Sequence, residues 1–278
     1  MNIDGKTKLI PHVGYPTTSF KAPMIYNPWF EAKGINAVVV PMGVPSEVGP
    51  ATLPRIFRLT NFHGALVTMP LKVLVVPMLD EVTATVKVAG SCNAVRRDEN
   101  GRFIGDMFDG EGFVRGIRRK GCQVQGASAL VSGSGGVGCA IAASLALAGV
   151  GKLALYDVNH ASMEALAARL REHYPQIDVS VGSNDPAGFD IVVNATPLGM
   201  NASDPLPFDV DRIALSTFVG EVVMKQEITP LLAAARAKGC RTQIGLDMLF
   251  EMSPAYIEFF GFGQTTPEEL QAHARVHY

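Results

Sequence analysis

The chain has 278 residues, 24 lysines and arginines against 26 aspartates and glutamates, and a formal net charge of -2. That near-balance removes the broad attraction to phosphate backbones on which a nucleic-acid binder depends, and leaves neither an acidic tail nor a polybasic membrane patch. Hydrophobic residues make up 47% and charged residues 18%, a composition that folds into one large or two smaller domains and excludes intrinsic disorder.

In chain order, the first part is proline-dense (Pro41, Pro45, Pro50, Pro54, Pro70, Pro77), with short apolar runs. The pattern predicts helices over Phe20–Lys33 and Asp80–Ala89 and buried strands over Ala37–Val40 and Ala65–Thr68. Cys92–Arg97 and Arg102–Gly105 flank Asp98-Glu99-Asn100-Gly101, a polar Asn-Gly turn that predicts a hairpin. This part reads as mixed α/β. Beyond residue 126 strands and helices alternate. Strands are expected at Ala129–Ser132, Lys152–Tyr156, Asp190–Ala195, Ser216–Val223 and Thr242–Ile244. Helices are expected at Cys139–Ala148, Ala161–His173 and Pro230–Ala237, the last stopped by Gly239. That alternation predicts a doubly wound parallel sheet of the Rossmann type. The apolar segment Asp247–Phe260 is expected to be helical and to pack back across the first domain.

Gly133-Ser134-Gly135-Gly136-Val137-Gly138 fits G-x-G-x-x-G between a predicted strand and helix. Gly133 permits a tight turn, Gly135 lets the backbone approach a pyrophosphate, and Gly138 lets helix and strand pack closely. The helix N-terminus offers free N–H groups to the phosphates. Asp157 ends the next strand, where a carboxylate accepts hydrogen bonds from ribose hydroxyls and repels a 2′-phosphate. Val158-Asn159-His160 brings no cation, so the expected cofactor is NAD over NADP. The alternative is Asp157 as a helix N-cap or turn former, since Asn159 could also cap the next helix.

Cys92, Cys122, Cys139 and Cys240 form no C-x-x-C pair and are read as buried small side chains of a reducing compartment. His12, His63, His160, His173, His273 and His277 show no ligand spacing, are read as surface or core residues, and predict no metal site. Met1–Lys6 lacks the apolar core of a signal peptide, and Ala65–Leu79 is interrupted by Pro70, Lys72 and Pro77. The expectation is a cytoplasmic protein with a small-molecule partner and neither membrane nor nucleic acid; a homodimer is compatible with it.

Six segments, in order, resemble the shikimate dehydrogenase family over nearly the whole chain. They are Gly14-Tyr15-Pro16 through Lys21-Ala22-Pro23, Val67-Thr68-Met69-Pro70-Leu71-Lys72, Gly90-Ser91-Cys92-Asn93-Ala94-Val95, Gly105-Asp106-Met107-Phe108-Asp109-Gly110, Asn194-Ala195-Thr196-Pro197-Leu198-Gly199-Met200, and Gly245-Leu246-Asp247-Met248-Leu249. The resemblance implies a substrate domain over 1–108 with 247–278, a dinucleotide domain over 109–246, and an active site in the groove separating them. It implies Lys72 and Asp109 as the catalytic pair and Thr68 and Asn93 as substrate contacts. The residue types suit alcohol oxidation on their own terms. An amine withdrawn from water gives up its proton more readily, and a carboxylate beside it orients ammonium and hydroxyl. By the same resemblance Asn194, Thr196 and Gly245 join the glycine loop on the cofactor. The implied activity is reversible hydride transfer with shikimate or quinate, in aromatic amino acid biosynthesis.

Five positions depart from the family pattern. Phe20 and Ala22 stand where the family's serines grip the substrate carboxylate, Leu66 replaces an Asn, Met252 a Gln, and Val223 a pocket Tyr. Thr17, Thr18, Ser19 and Lys21 are nearby and could partly restore the grip. Two further readings follow: a family member acting on a less polar hydroxy or keto substrate, and a non-catalytic NAD-binding sensor.

Overall fold

The structure, a computed structural model, describes residues 3–201 and 203–276. His277, among the histidines above, lies outside them. Two compact units divide at Phe108/Asp109, and the chain returns to the first unit at Met252.

The first unit begins β1 (Lys8–Gly14), α1 (Ala22–Ala32), β2 (Ala37–Gly43), α2 (Gly49–Phe57) and β3 (Gly64–Val67). It continues β4 (Glu81–Val82), α3 (Ala84–Ala89), β5 (Ala94–Arg97) and β6 (Phe103–Asp106). The sheet order is β2-β1-β3-β5-β6-β4. β1 runs parallel to β2 and β3, while β5 is antiparallel to β3 and to β6. The helix expected from Asp80 begins only at Ala84. Thr83 accepts the Val86 N–H and caps it, and Gly90, at φ +65°, ends it.

The second unit holds α4 (Asp109–Arg119), β7 (Ser128–Ser132), α5 (Gly136–Leu147), β8 (Lys152–Tyr156), α6 (His160–His173), β9 (Asp178–Val181) and β10 (Ile191–Asn194). β11 (Phe218–Glu221), α7 (Pro230–Ala237) and β12 (Arg241–Gln243) complete its sheet, all parallel, in the order β12-β11-β10-β7-β8-β9. The order reverses direction between β7 and β10. In such sheets ligands bind beyond the strand C-termini at that reversal.

α8 (Gly245–Phe259) starts in the second unit and ends in the first; α9 (Pro267–His273) follows. The division therefore falls inside α8, at residue 252, whereas the sequence places it at 247. The returning segment is held by specific bonds. Tyr26 Oη donates to Ser253 Oγ at 3.1 Å, His63 Nε2 meets the Phe260 carbonyl at 2.6 Å, and the Arg275 N–H donates to the Met24 carbonyl at 2.8 Å. Among the described residues no helix is long and apolar enough to cross a membrane, and no cluster of His, Cys, Asp or Glu could hold a metal ion.

Candidate functional site

The first unit gathers its candidates at the C-terminal ends of β1 and β3. Thr68 follows β3, and its N–H donates to the Val13 carbonyl at 2.9 Å. The turn continues to Lys72, whose carbonyl accepts the Cys92 N–H at 2.8 Å. Lys72 sits in that turn and is 8% exposed. A lysine is almost never this buried unless its ammonium has partners or a task. Asn93 is 1% exposed; its Oδ1 accepts the Phe108 N–H at 3.0 Å, while its Nδ2 has no hydrogen-bond partner. Ser19 closes a 3-10 turn by donating to the Pro16 carbonyl at 3.2 Å, and Lys21 precedes α1.

The five apolar departures are placed as follows. Ala22, Leu66, Val223 and Met252 are buried, and Phe20 is half-buried. Phe20 reaches back over β1: a Cβ on Gly14 would lie 3.2 Å from its ring and would collide with the Thr68 methyl. The Phe20 ring also stacks on His12, centroids 4.0 Å apart at 26°. His12 is 9% exposed, and its Nδ1 has no hydrogen-bond partner. Burial, with a smaller contribution from the Lys72 charge, pushes its imidazole down to about 3. Sequence reading left His12 among core or surface histidines. Its place inside the apolar run of β1 was the signal that it would be buried.

The second unit builds its glycine loop between β7 and α5. The Gly133 N–H donates to the Tyr156 carbonyl at 2.7 Å, and Gly133 adopts φ +105°, where a Cβ would meet the Ala195 carbonyl at 2.7 Å. A Cβ on Gly138 would overlap the Gly133 carbonyl, whereas one on Gly135 would meet nothing within 4 Å. So Gly133 and Gly138 serve packing, and Gly135 faces open space. α5 starts at Gly136, three residues before the predicted Cys139, so Gly136, Val137 and Gly138 form its first turn. Ser134 Oγ is buried with no hydrogen-bond partner. A spare hydroxyl, a helix N-terminus and an unfilled approach suit a dinucleotide pyrophosphate. Asp157 accepts the Ser134 and Asn159 N–H groups.

Asn194 and Thr196 shape the turn after β10. Asn194 Nδ2 donates to the Leu198 carbonyl at 2.9 Å, and its Oδ1 accepts from Thr196 Oγ1 at 2.6 Å. Gly245 opens α8, where a Cβ would collide with the Val223 carbonyl. Asp109 opens α4 and is 2% exposed; Gly110 beside it lets α4 close on the Ala140 carbonyl of α5.

Glu221, at the end of β11, was not singled out by sequence. It is fully buried, and neither carboxylate oxygen meets a partner in hydrogen-bonding geometry. Burial pushes its carboxyl up to about 7, tempered by the nearby Thr229 and Asn194 side chains.

The profile described as the shikimate dehydrogenase substrate binding domain matches residues 13–95. A shikimate dehydrogenase (NADP(+)) of Rubrobacter xylanophilus is 35% identical over 251 residues, covering 89% of this chain and 88% of that one. One from Salinibacter ruber is 36% identical over 267 residues, 92% of each. Among solved structures, quinate dehydrogenase from Corynebacterium glutamicum in complex with NAD is 29% identical, with TM-score 0.84 over 96% of this chain and 98% of that one. Shikimate dehydrogenase from Aquifex aeolicus is 26% identical, with TM-score 0.86 over 99% of this chain and 100% of that one.

Proposed function

The chain belongs to the shikimate dehydrogenase family, and from that premise we propose that it interconverts a cyclic hydroxy acid of the shikimate or quinate type and the corresponding ketone. It is a nicotinamide-dependent oxidoreductase acting on a CH–OH group. The observation that carries the residue-level reading is the buried ammonium of Lys72 in the turn after β3.

When bound, the nicotinamide supplies the hydride acceptor for oxidation and the donor for reduction. Lys72 Nζ takes the hydroxyl proton as the alcohol is oxidised and returns it on reduction. Asp109 is the carboxylate we assign to orient that ammonium, and in reduction the charge of Lys72 stabilises the developing alkoxide. Thr68 and Asn93 hold substrate oxygens, Asn93 through its spare Nδ2 donor. Lys21 adds positive charge for the acid, and Ser19 fixes the turn leading to it. Gly133, Gly135, Gly136, Val137 and Gly138 hold the pyrophosphate, Asp157 the ribose hydroxyls, and Asn194, Thr196 and Gly245 shape the nicotinamide end.

We assign NAD in preference to NADP. The support is Asp157, whose carboxylate is held at the end of β8 by two backbone N–H groups and would oppose a 2′-phosphate. The quinate dehydrogenase solved with NAD agrees with this choice, while the relatives named for NADP(+) weigh against it. Initial rates with NAD and with NADP on shikimate, quinate and less polar hydroxy-acid analogues test both statements. Turnover of either acid, faster with NAD at equal concentration, is the expected result. Turnover of none of them would end the reading, and faster reaction with NADP would reverse the cofactor assignment.

A further inference from the structure

Two polar atoms in the first unit's site are buried without hydrogen-bond partners: Asn93 Nδ2, used above, and His12 Nδ1, which has no role so far. A buried imidazole nitrogen with no partner is a persistent cost, and native proteins keep such groups where something else completes them. The position of His12 says what that would be. It lies in β1 opposite Leu66 of β3, the strand that delivers Thr68 and the turn to Lys72. The Phe20 ring lies flat against it, so water reaches little of the imidazole. Phe20, Ala22 and Leu66 around this end of β1 and β3 offer no side-chain donor. The Lys72 ammonium acts on the ring and makes the local potential positive. A neutral imidazole in a positive, largely apolar setting suits an anionic oxygen, to which Nδ1–H can donate.

We infer that His12 is a specificity-determining substrate contact, its Nδ1–H donating to a carboxylate oxygen of the cyclic hydroxy acid. The inference rests on the proposed activity for the identity of the acid. Phe20 then acts as the wall that holds the imidazole in its rotamer. The loss of hydroxyl side chains in this loop is offset by one donor supplied from the strand beneath it.

Two variants separate the hydrogen bond from the packing. His12→Phe keeps a ring to stack on Phe20 and removes the donor; His12→Asn keeps a donor and removes the ring. KM and kcat are measured for shikimate and quinate and for their methyl esters, with cofactor affinity followed by nicotinamide fluorescence. Independently, the His12 imidazole nitrogen resonances of the wild-type chain are followed as shikimate, then quinate, is added. The expected result is a KM for the acids raised about tenfold or more in His12→Phe, with kcat within about threefold. The ester values and cofactor affinity stay unchanged, His12→Asn recovers part of the loss, and the wild-type imidazole signal shifts on binding. Turnover of the acids with an unmoved imidazole signal, or an unchanged KM in His12→Phe, overturns the assignment and leaves the activity standing. A shifted imidazole signal with no turnover of either acid supports the assignment and retires the activity. Neither shift nor turnover overturns both.

Discussion

The Asp157 carboxylate accepts the backbone N–H of Ser134 at 2.5 Å, tying the acid at the end of β8 to the glycine loop after β7. Its other oxygen accepts the Asn159 N–H at 2.7 Å. Asp157 thus braces the cradle, and the proposed function also gives it the ribose hydroxyls. Asp157→Asn keeps oxygen and shape but removes the charge. We expect the NAD-over-NADP ratio of kcat/KM to fall about tenfold or more, read from initial rates with each cofactor. An unchanged ratio would show that the charge does not select the cofactor.

Asn93 uses only half of its amide within the fold. Its Oδ1 secures the Phe108 N–H, while its Nδ2 is unpartnered and is the donor proposed for the substrate. Asn93→Asp keeps the acceptor and removes the donor. The expected outcome is a KM for shikimate or quinate raised about tenfold, since the carboxylate also repels an acid. Asn93→Ala should additionally lower the melting temperature, because the Phe108 N–H loses its acceptor inside the fold. If calorimetry finds Asn93→Ala as stable as wild type, the structural half of this account is wrong.

Glu221 makes stability depend on pH in an unusual direction. Its folded carboxyl is raised to about 7 from the ordinary 4.5, so the fold favours the protonated form. That contribution is fully present below pH 4.5 and is lost as the pH rises through about 7, an effect of about 3 kcal/mol at most. Glu221→Gln should therefore be more stable than wild type at pH 8 and nearly equal to it at pH 5, compared by urea melts. Equal destabilisation at both values would mean that the side chain acts through packing and not through charge.

The four cysteines are free and buried, and burial pushes the Cys92 thiol up to about 12 and those of Cys122 and Cys139 up to about 11. Thiolate is the reactive form, so Ellman's reagent should label the native chain slowly and the urea-unfolded chain at all four sites. Rapid labelling of native Cys92 would contradict its enclosure.

Much of the architecture was legible because the local signals agreed with the global fold. β8 and α7 carry the predicted limits, Lys152–Tyr156 and Pro230–Ala237, where apolar runs are bounded by glycine, proline and caps. The elements that escaped did so for identifiable reasons. α4 received no element from the sequence because it contains Gly110, Gly112 and Gly116, yet a side chain at 110 would collide with α5 and one at 116 with Gln243. Tertiary packing, not propensity, chooses glycine there. α2 was hidden by Pro50 and Pro54; Pro50 lies in the first helical turn, where a missing N–H costs nothing. β1 received no element from the sequence, where Pro11 and His12 interrupt its apolar run, although it is an internal parallel strand. The glycine cradle and Asp157 could be read from spacing alone. Lys72 and Asn93 needed the family resemblance. The orphaned nitrogen of His12 needed coordinates, since only the fold shows which buried groups lack partners.

The central claim is tested most directly by single-turnover reduction of bound nicotinamide by shikimate or quinate in wild type and Lys72→Ala. The account predicts reduction in wild type, a rate about a hundredfold to ten-thousandfold lower in the variant, and unchanged cofactor affinity. Equal rates in the two proteins, or no reduction by wild type with either acid, would contradict it.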